Sequence, residues 1–253
     1  MEMIHTAALN DKQKKDILVL MEACRKYRPL SLSFPFEDGT SFYLLYSPEL
    51  VCALALILPE ENTSGSAAEC LAFTLPEKRR QGYFSVLFAQ AEAEIEDLDL
   101  FFLTDGSDEG ALGALRSLEA EPDHSELRMD FLLSELPGSA LKEESSRLLV
   151  QDYLTGDILT LAFCLKGEPC PGCAGLCRFV SYGKKTCFYD FEIRPELRGT
   201  GLGKEALLLA LAHIKTEGME SVFLQVSGDN LTALQLYEKT GFRISETLFY
   251  YLY

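Results

Sequence analysis

The segment Pro76-Glu77-Lys78-Arg79-Arg80-Gln81-Gly82 is echoed 119 residues later by Pro195-Glu196-Leu197-Arg198-Gly199-Thr200-Gly201. Each copy follows an apolar, strand-like run (Cys70–Leu75 and Phe188–Ile193). Each precedes a helix-like run, Tyr83–Leu98 in the first case and Glu205–Lys215 in the second. A further strand pattern comes next, Leu100–Thr104 or Ser221–Val226. Gly106-Ser107-Asp108 or Gly228-Asp229-Asn230 then opens a short helix. Strand, turn, helix and strand, repeated in that order, constrain the chain to two related α/β units in tandem.

The remaining elements fit around this repeat. Asp11–Tyr27 reads as a helix, and Ser41–Tyr46 with Val51–Leu58 as a hairpin around Ser47-Pro48-Glu49. Ser125–Leu133 is expected to close the first unit as a strand. Pro137-Gly138-Ser139 and the charged run after it mark the boundary, giving units 1–138 and 139–253. The second unit opens with strands around Arg147–Tyr153, Ile158–Leu165, Leu176–Tyr182 and Thr186–Ile193, with almost no room for helices between them. It ends in the aromatic strand Thr247–Tyr253, expected to pack on its own sheet or on the other unit.

The second copy of the turn carries the chemistry. Arg198-Gly199-Thr200-Gly201-Leu202-Gly203-Lys204 stands between a strand that stops at Arg194-Pro195 and a helix that stops at Gly218. Three glycines let the backbone approach phosphate oxygens, while unpaired N–H groups and the positive helix end point at them. The expected ligand bears phosphate. A Walker loop is absent, and Gly199-x-Gly201-x-Gly203 is one residue short of the dinucleotide fingerprint.

Arg-x-x-Gly-x-Gly, after a strand ending in Pro and before a helix, resembles the acyl-CoA pyrophosphate loop of the GNAT N-acetyltransferase superfamily. Asn230-x-x-Ala233-x-x-x-Tyr237-x-x-x-Gly241-Phe242 is similar to that family's second CoA motif. Helical spacing puts Asn230, Ala233 or Leu234, and Tyr237 on one face. The resemblance is strong over Phe188–Tyr253 and weaker over Cys70–Leu118. It implies an α/β (α+β) fold of two tandem GNAT domains, each a mixed twisted sheet flanked by helices, the N-terminal copy degenerate.

The resemblance further implies acyl transfer, usually acetyl, from acetyl-CoA as co-substrate to a primary amine of a small molecule or peptide. The second unit would be catalytic, with the first helping to form the acceptor pocket. Arg198, Gly199, Thr200, Gly201, Leu202, Gly203 and Lys204 would hold the diphosphate. Phe191 to Arg194 would be the strand edge for pantetheine, and the Ile193 N–H the donor to the thioester carbonyl. Asn230, Ala233 and Tyr237 would line the arm, with Tyr237 the acid for the departing thiolate. The family's Glu on the strand after the loop helix is Gln225 here, which cannot take a proton. Glu192, two residues from Asp190 on the preceding strand, is then the candidate base, with ordered water as competitor. In the first copy Phe84 replaces the last small loop residue, Asp108 stands for Asn230 and Leu115 for Tyr237. That half is expected to shape substrate or structure, with residual CoA binding through Arg79, Arg80 and Gly82 left open. The other reading of the whole is a CoA-binding sensor or scaffold without turnover.

Composition narrows the partners. A net charge of −16 argues against nucleic acid and anionic membranes and suits a cationic acceptor. No apolar run is long enough to span a bilayer, and the start lacks an export pattern, so the cytoplasm is the expected compartment. Oligomeric state is not readable. Of eight cysteines, Cys24, Cys52, Cys70, Cys164 and Cys187 sit in apolar runs. Cys170-Pro171-Gly172-Cys173 with Cys177 has the spacing of half a zinc site, and equally of a turn with reduced thiols.

Overall fold

Asn10 begins the first helix by a reciprocal cap: its Oδ1 accepts the Gln13 N–H, and the Gln13 side chain accepts the Asn10 N–H. In the computed structural model, residues 1–36, 39–59, 67–95, 98–138, 146–167 and 173–253 are described. They form two compact units. One comprises Met1–Ser125 and Glu246–Tyr253, the other Glu126–Ser245.

In the first unit the elements are β1 (Glu2–Thr6), α1 (Asp11–Tyr27), β2 (Thr40–Tyr46), β3 (Leu50–Ile57), β4 (Ala68–Thr74), α2 (Tyr83–Ala91), β5 (Leu100–Thr104) and α3 (Glu109–Ser117). Strands lie in the order β1-β2-β3-β4-β5 and then β12 (Arg243–Leu252). All neighbours are antiparallel except β4 and β5. Side-chain alternation along β3 explains the two layers of helix. Ala53 and Ala55 join the core built on Ile17, Leu20 and Met21 of α1. Cys52, Leu54 and Leu56 join the one built on Leu87, Phe88 and Ala91 of α2. A strand covered on both faces is apolar throughout, as Leu50–Ile57 is.

The second unit contains β6 (Glu121–Leu132, from Glu126 onward), β7 (Leu148–Thr155), β8 (Ile158–Leu165), β9 (Cys173–Tyr182), β10 (Lys185–Ile193), α4 (Leu202–Thr216), β11 (Ser221–Ser227) and α5 (Leu231–Thr240). Its order is β6-β11-β10-β9-β8-β7, with β10 and β11 parallel. Strands β7 to β10 form a meander without helices, as the short spacers require. Ala206, Leu207, Ala210, Leu211 and Ile214 of α4 fill one core with Phe163, Phe179, Phe188, Tyr237 and Phe242.

Two expectations change. Ser125–Leu133 does not close the first unit: Glu126 to Leu132 pair antiparallel with Ser227 to Ser221 of β11. Of the two places expected for the aromatic terminal strand, it takes the other unit: it lies in the first, with Phe249–Leu252 opposite Thr104–Phe101 of β5. Tyr253 follows with its N–H on the Leu100 carbonyl and its ring edge-on to Phe88 and Phe102. Alternation shows that a segment is a strand but does not name its neighbour, so nearness in sequence gave the wrong pairing. The compact units therefore divide at 125/126 and 245/246, not at 138/139. Edge strand β1, largely exposed and only five residues long, was not anticipated from the sequence.

Candidate functional site

Strands β10 and β11 are in register only over Lys185–Cys187 and Ser221–Phe223, then part. The wedge between them faces the N-terminus of α4. Along β10 the register with β9 slips between Tyr189 and Glu192, and Asp190 adopts φ +49°. This bulge re-aims the strand's last residues. The Arg194 N–H bonds the Ala174 carbonyl at 2.9 Å. Alternation then turns the Ile193 N–H to the opposite edge, where β11 has departed. Arg198 confirms the direction, its Nε donating to the Ile193 carbonyl at 2.8 Å. On the β9 side the approach is so close that a Cβ on Gly175 would stand 2.3 Å from the Glu192 carbonyl oxygen.

The loop is shaped by its glycines. After a 3₁₀ turn over Pro195–Leu197, Gly199 and Gly201 take φ +74° and +86°. Gly201 is the N-cap of α4 and offers no side-chain cap, which leaves the first-turn N–H groups open to an anion. A Cβ at Gly199 would meet nothing within 4 Å; one at Gly201 would meet only the Arg147 guanidinium, at 3.7 Å. The cradle therefore fits a diphosphate, with Arg198 and Lys204 exposed beside it. Gly203 lies inside α4, its Cα facing Leu236 and Ile193.

Arg147 and Glu205 hold this loop, and the sequence did not single them out. Arg147 Nη2 donates to the Thr200 carbonyl at 3.2 Å, and its Nε to Glu205 at 3.0 Å. Glu205 also accepts from Ser146 Oγ at 2.7 Å and from the Arg147 N–H. Burial pushes the Glu205 carboxyl up, but these hydrogen bonds and the guanidinium together outweigh it and hold it below its ordinary value. An acidic residue in the first turn of α4 was the one visible signal.

Tyr237 is 7% exposed, its ring edge-on to Phe188 and 5.7 Å from that of Phe242. Burial pushes its phenol up to about 12. Asn230 caps α5, its Oδ1 accepting the Ala233 N–H at 3.1 Å, and its amide N–H₂ is left to donate to a ligand. Phe191 is half-buried on β10. Glu192 is exposed, 3.5 Å from Arg198 Nη2, and Asp190 pairs with Arg178 at 2.6 Å. Gln225 is exposed on β11 opposite Arg128.

The same construction recurs in the first unit. Strands β4 and β5 part after Cys70 and Phe102. Arg79 Nε donates to the Thr74 carbonyl as Arg198 does to Ile193, and Gly82 caps α2 at φ +80°. Arg80 takes φ +62° at the position of Gly199, so the loop keeps its shape even with a side chain that disfavours it. A cavity of about 1070 Å³, lined by Ala72, Thr74, Tyr83, Phe102, Asp108 and Leu115 among others, opens in this wedge. Asp108 caps α3 and pairs with Arg79 at 2.7 Å and Arg28 at 3.4 Å. No bulge interrupts β4 against β3.

Residues 127–242 match the family model described as the acetyltransferase (GNAT) family. By this match the chain is similar to the GNAT family over its second unit. Its fold agrees along its whole length. A GCN5-related N-acetyltransferase from Sphaerobacter thermophilus aligns with 99% of this chain and 95% of its own, at a TM-score of 0.75 and 14% identity. A tandem GNAT protein from the clavulanic acid biosynthesis pathway aligns with 100% and 98%, at 0.69 and 16%. In sequence, mycothiol acetyltransferases from Saccharomonospora viridis and Thermobispora bispora are 42% identical over 59 residues and 44% over 54. Those stretches cover 23% and 21% of this chain and 19% and 18% of the relatives, so the chain matches about a fifth of their length.

Among the described residues no cysteine is in a disulfide, and no group of three or more His, Cys, Asp or Glu is placed to hold a metal. Cys170 lies outside those residues. Among them, no helix is long and apolar enough to cross a membrane.

Proposed function

We propose that this protein is an acetyl-CoA-dependent N-acetyltransferase acting on a primary amine of a small molecule or peptide, with the reaction in the second unit. The observation that carries this is the joint arrangement in that unit. An uncapped helix start behind Gly199 and Gly201 lies beside a parted strand edge presenting the Ile193 N–H, and the second motif's Tyr237 sits on α5. Bound acetyl-CoA supplies the acetyl group as a thioester.

The chain's own residues do the rest. First-turn N–H groups of α4, with Arg198 and Lys204, balance the diphosphate charge. The Ile193 N–H donates to the carbonyl oxygen as negative charge gathers there. Glu192 takes the amine's proton through water, its charge tied to Arg198. Tyr237 keeps its proton across the physiological range. Giving that proton to a thiolate of ordinary pKa near 8.5 is uphill by about 3.5 units, roughly 5 kcal/mol. Tyr237 therefore acts first as a hydrogen-bond donor, and yields its proton to a sulfur that is itself desolvated. The acidic chain attracts a cationic amine.

Thiol release from acetyl-CoA across a panel of amines tests the reading, with CoA affinity measured by calorimetry. Gly201→Glu should abolish binding by placing an anion in the cradle; unchanged affinity removes the site from this loop. Binding with no thiol release for any amine favours the sensor or scaffold reading instead. The first-unit cavity and the preserved backbone at Arg80 and Gly82 favour a second reading, in which that wedge takes the co-substrate. Loss of binding in Gly82→Glu but not in Gly201→Glu would select it.

A further inference from the structure

The thiols of the β8–β9 hairpin form a built pair. Register in this hairpin runs regularly from Ile158↔Val180 to Phe163↔Gly175, then slips by one, so that Cys164 faces Cys173 rather than Ala174. The bulge at Ala174 thus brings two cysteines directly opposite each other across an antiparallel ladder. Directly opposed residues there have Cα atoms about 4.5–5.5 Å apart, within the range a disulfide spans. Cys164 is 7% exposed and Cys173 is half-exposed. The Cys173 Sγ–H donates to the Gly175 carbonyl at 2.6 Å. The zinc-like spacing of Cys170, Cys173 and Cys177 has a different meaning in this light: Cys177 lies opposite Leu161 and is fully buried, away from the Cys164–Cys173 rung.

We infer that Cys164 and Cys173 are an oxidation site, joined into a cross-strand disulfide by a peroxide. Cys173, the more accessible, attacks the peroxide as thiolate; its sulfur is oxidised to S–OH while the O–O bond breaks and water leaves. Cys164 then attacks that sulfur, the S–S bond forms, and the hydroxyl departs as a second water. In sum, two thiols and one H₂O₂ give one disulfide and two waters. The product closes one residue from Ala174, whose carbonyl holds the Arg194 N–H, and two from Gly175, which abuts Ile193. Oxidation therefore pins the strand on which the end of β10 rests. The chemistry stands independently of the acetyl-transfer reading.

The folded protein is exposed to stoichiometric H₂O₂, free thiols are alkylated, and a non-reducing tryptic digest is read by mass spectrometry. Cleavage after Arg147, Lys166 and Arg178 puts Cys164 in peptide 148–166 and Cys173 in peptide 167–178. The expected product is these two peptides linked and lighter by two hydrogen atoms, with fragmentation assigning the bond to Cys173. The link should persist in Cys170→Ser and Cys177→Ser, vanish in Cys173→Ser and Cys164→Ser, and disappear on reduction. It should also slow exchange of the Arg194 amide. A link that needs Cys170, or sulfinic acid on Cys173 with Cys164 still open to alkylation, overturns the inference.

Discussion

Gly175→Ala is expected to damage the second unit and its wedge together. The new Cβ would lie 2.3 Å from the Glu192 carbonyl oxygen, 2.6 Å from Ile193 Cδ1 and 3.2 Å from Ile193 Cα. The methyl end of Ile193 can rotate away, but the carbonyl and Cα belong to the backbone of β10, so that strand must move. Overpacking of this kind costs about 1–3 kcal/mol. At roughly 2–4 °C per kcal/mol for a chain of this size, melting should fall by about 2–12 °C. Gly203→Ala provides the opposite case. Its Cβ would make ordinary contacts, 3.6 Å from Leu236 and 3.8 Å from Ile193, inside a helix at unremarkable φ. That change should stabilise the ligand-free protein by about 0.5–1 kcal/mol. Calorimetric melting of both variants, with thiol-release kinetics, is the assay. Displacement of the Ile193 N–H should also lower kcat/KM in Gly175→Ala by up to about 100-fold, the cost of misplacing a reacting group by an ångström. A Gly175→Ala protein that melts with the wild type, at wild-type rate, would refute the close approach of β9 to β10.

Tyr237→Phe should bind CoA normally and release thiol about 100-fold or more slowly; full activity would clear the phenol of any role. Because burial raises the Tyr237 phenol to about 12, the wild type should keep the stability of its protonated form up to about pH 10, where an unfolded Tyr begins to ionise, and lose it as pH rises toward 12. Alkaline unfolding followed by circular dichroism should accordingly show a shallower decline in Tyr237→Phe. Glu205 has the opposite sign: its lowered carboxyl contributes stability above the ordinary Glu value that is lost as pH falls below it, so Glu205→Gln should flatten the acid side of the profile. Arg80→Gly should relieve the left-handed strain at φ +62° and stabilise the first unit by about 0.5–1 kcal/mol in urea unfolding.

Most elements were legible because their patterns are local. Leu100–Thr104 and Ile158–Leu165 have the expected bounds, and the repeat at 119 residues is matched by paired geometry at Arg79 and Arg198, Arg80 and Gly199, Gly82 and Gly201. Partners distant in sequence were not legible. The bulge at Asp190, the seat of Gly175 against Glu192 and the hold of Arg147 on Thr200 each depend on a neighbouring strand or loop that periodicity does not name. The start of α5 after Gly228-Asp229-Asn230 was legible, and Asn230 is its cap.

Strand β12 carries a consequence for how the protein is made. The free side of β5 is covered by Phe249–Leu252, a partner that the ribosome adds some 145 residues after Thr104. At about 5–20 residues per second, the amino-terminal sheet waits roughly 7–30 s with a bare flank. For that interval the nascent chain offers Phe101, Phe102 and Leu103 to whatever passes, and its folding cannot finish in the order in which it is translated.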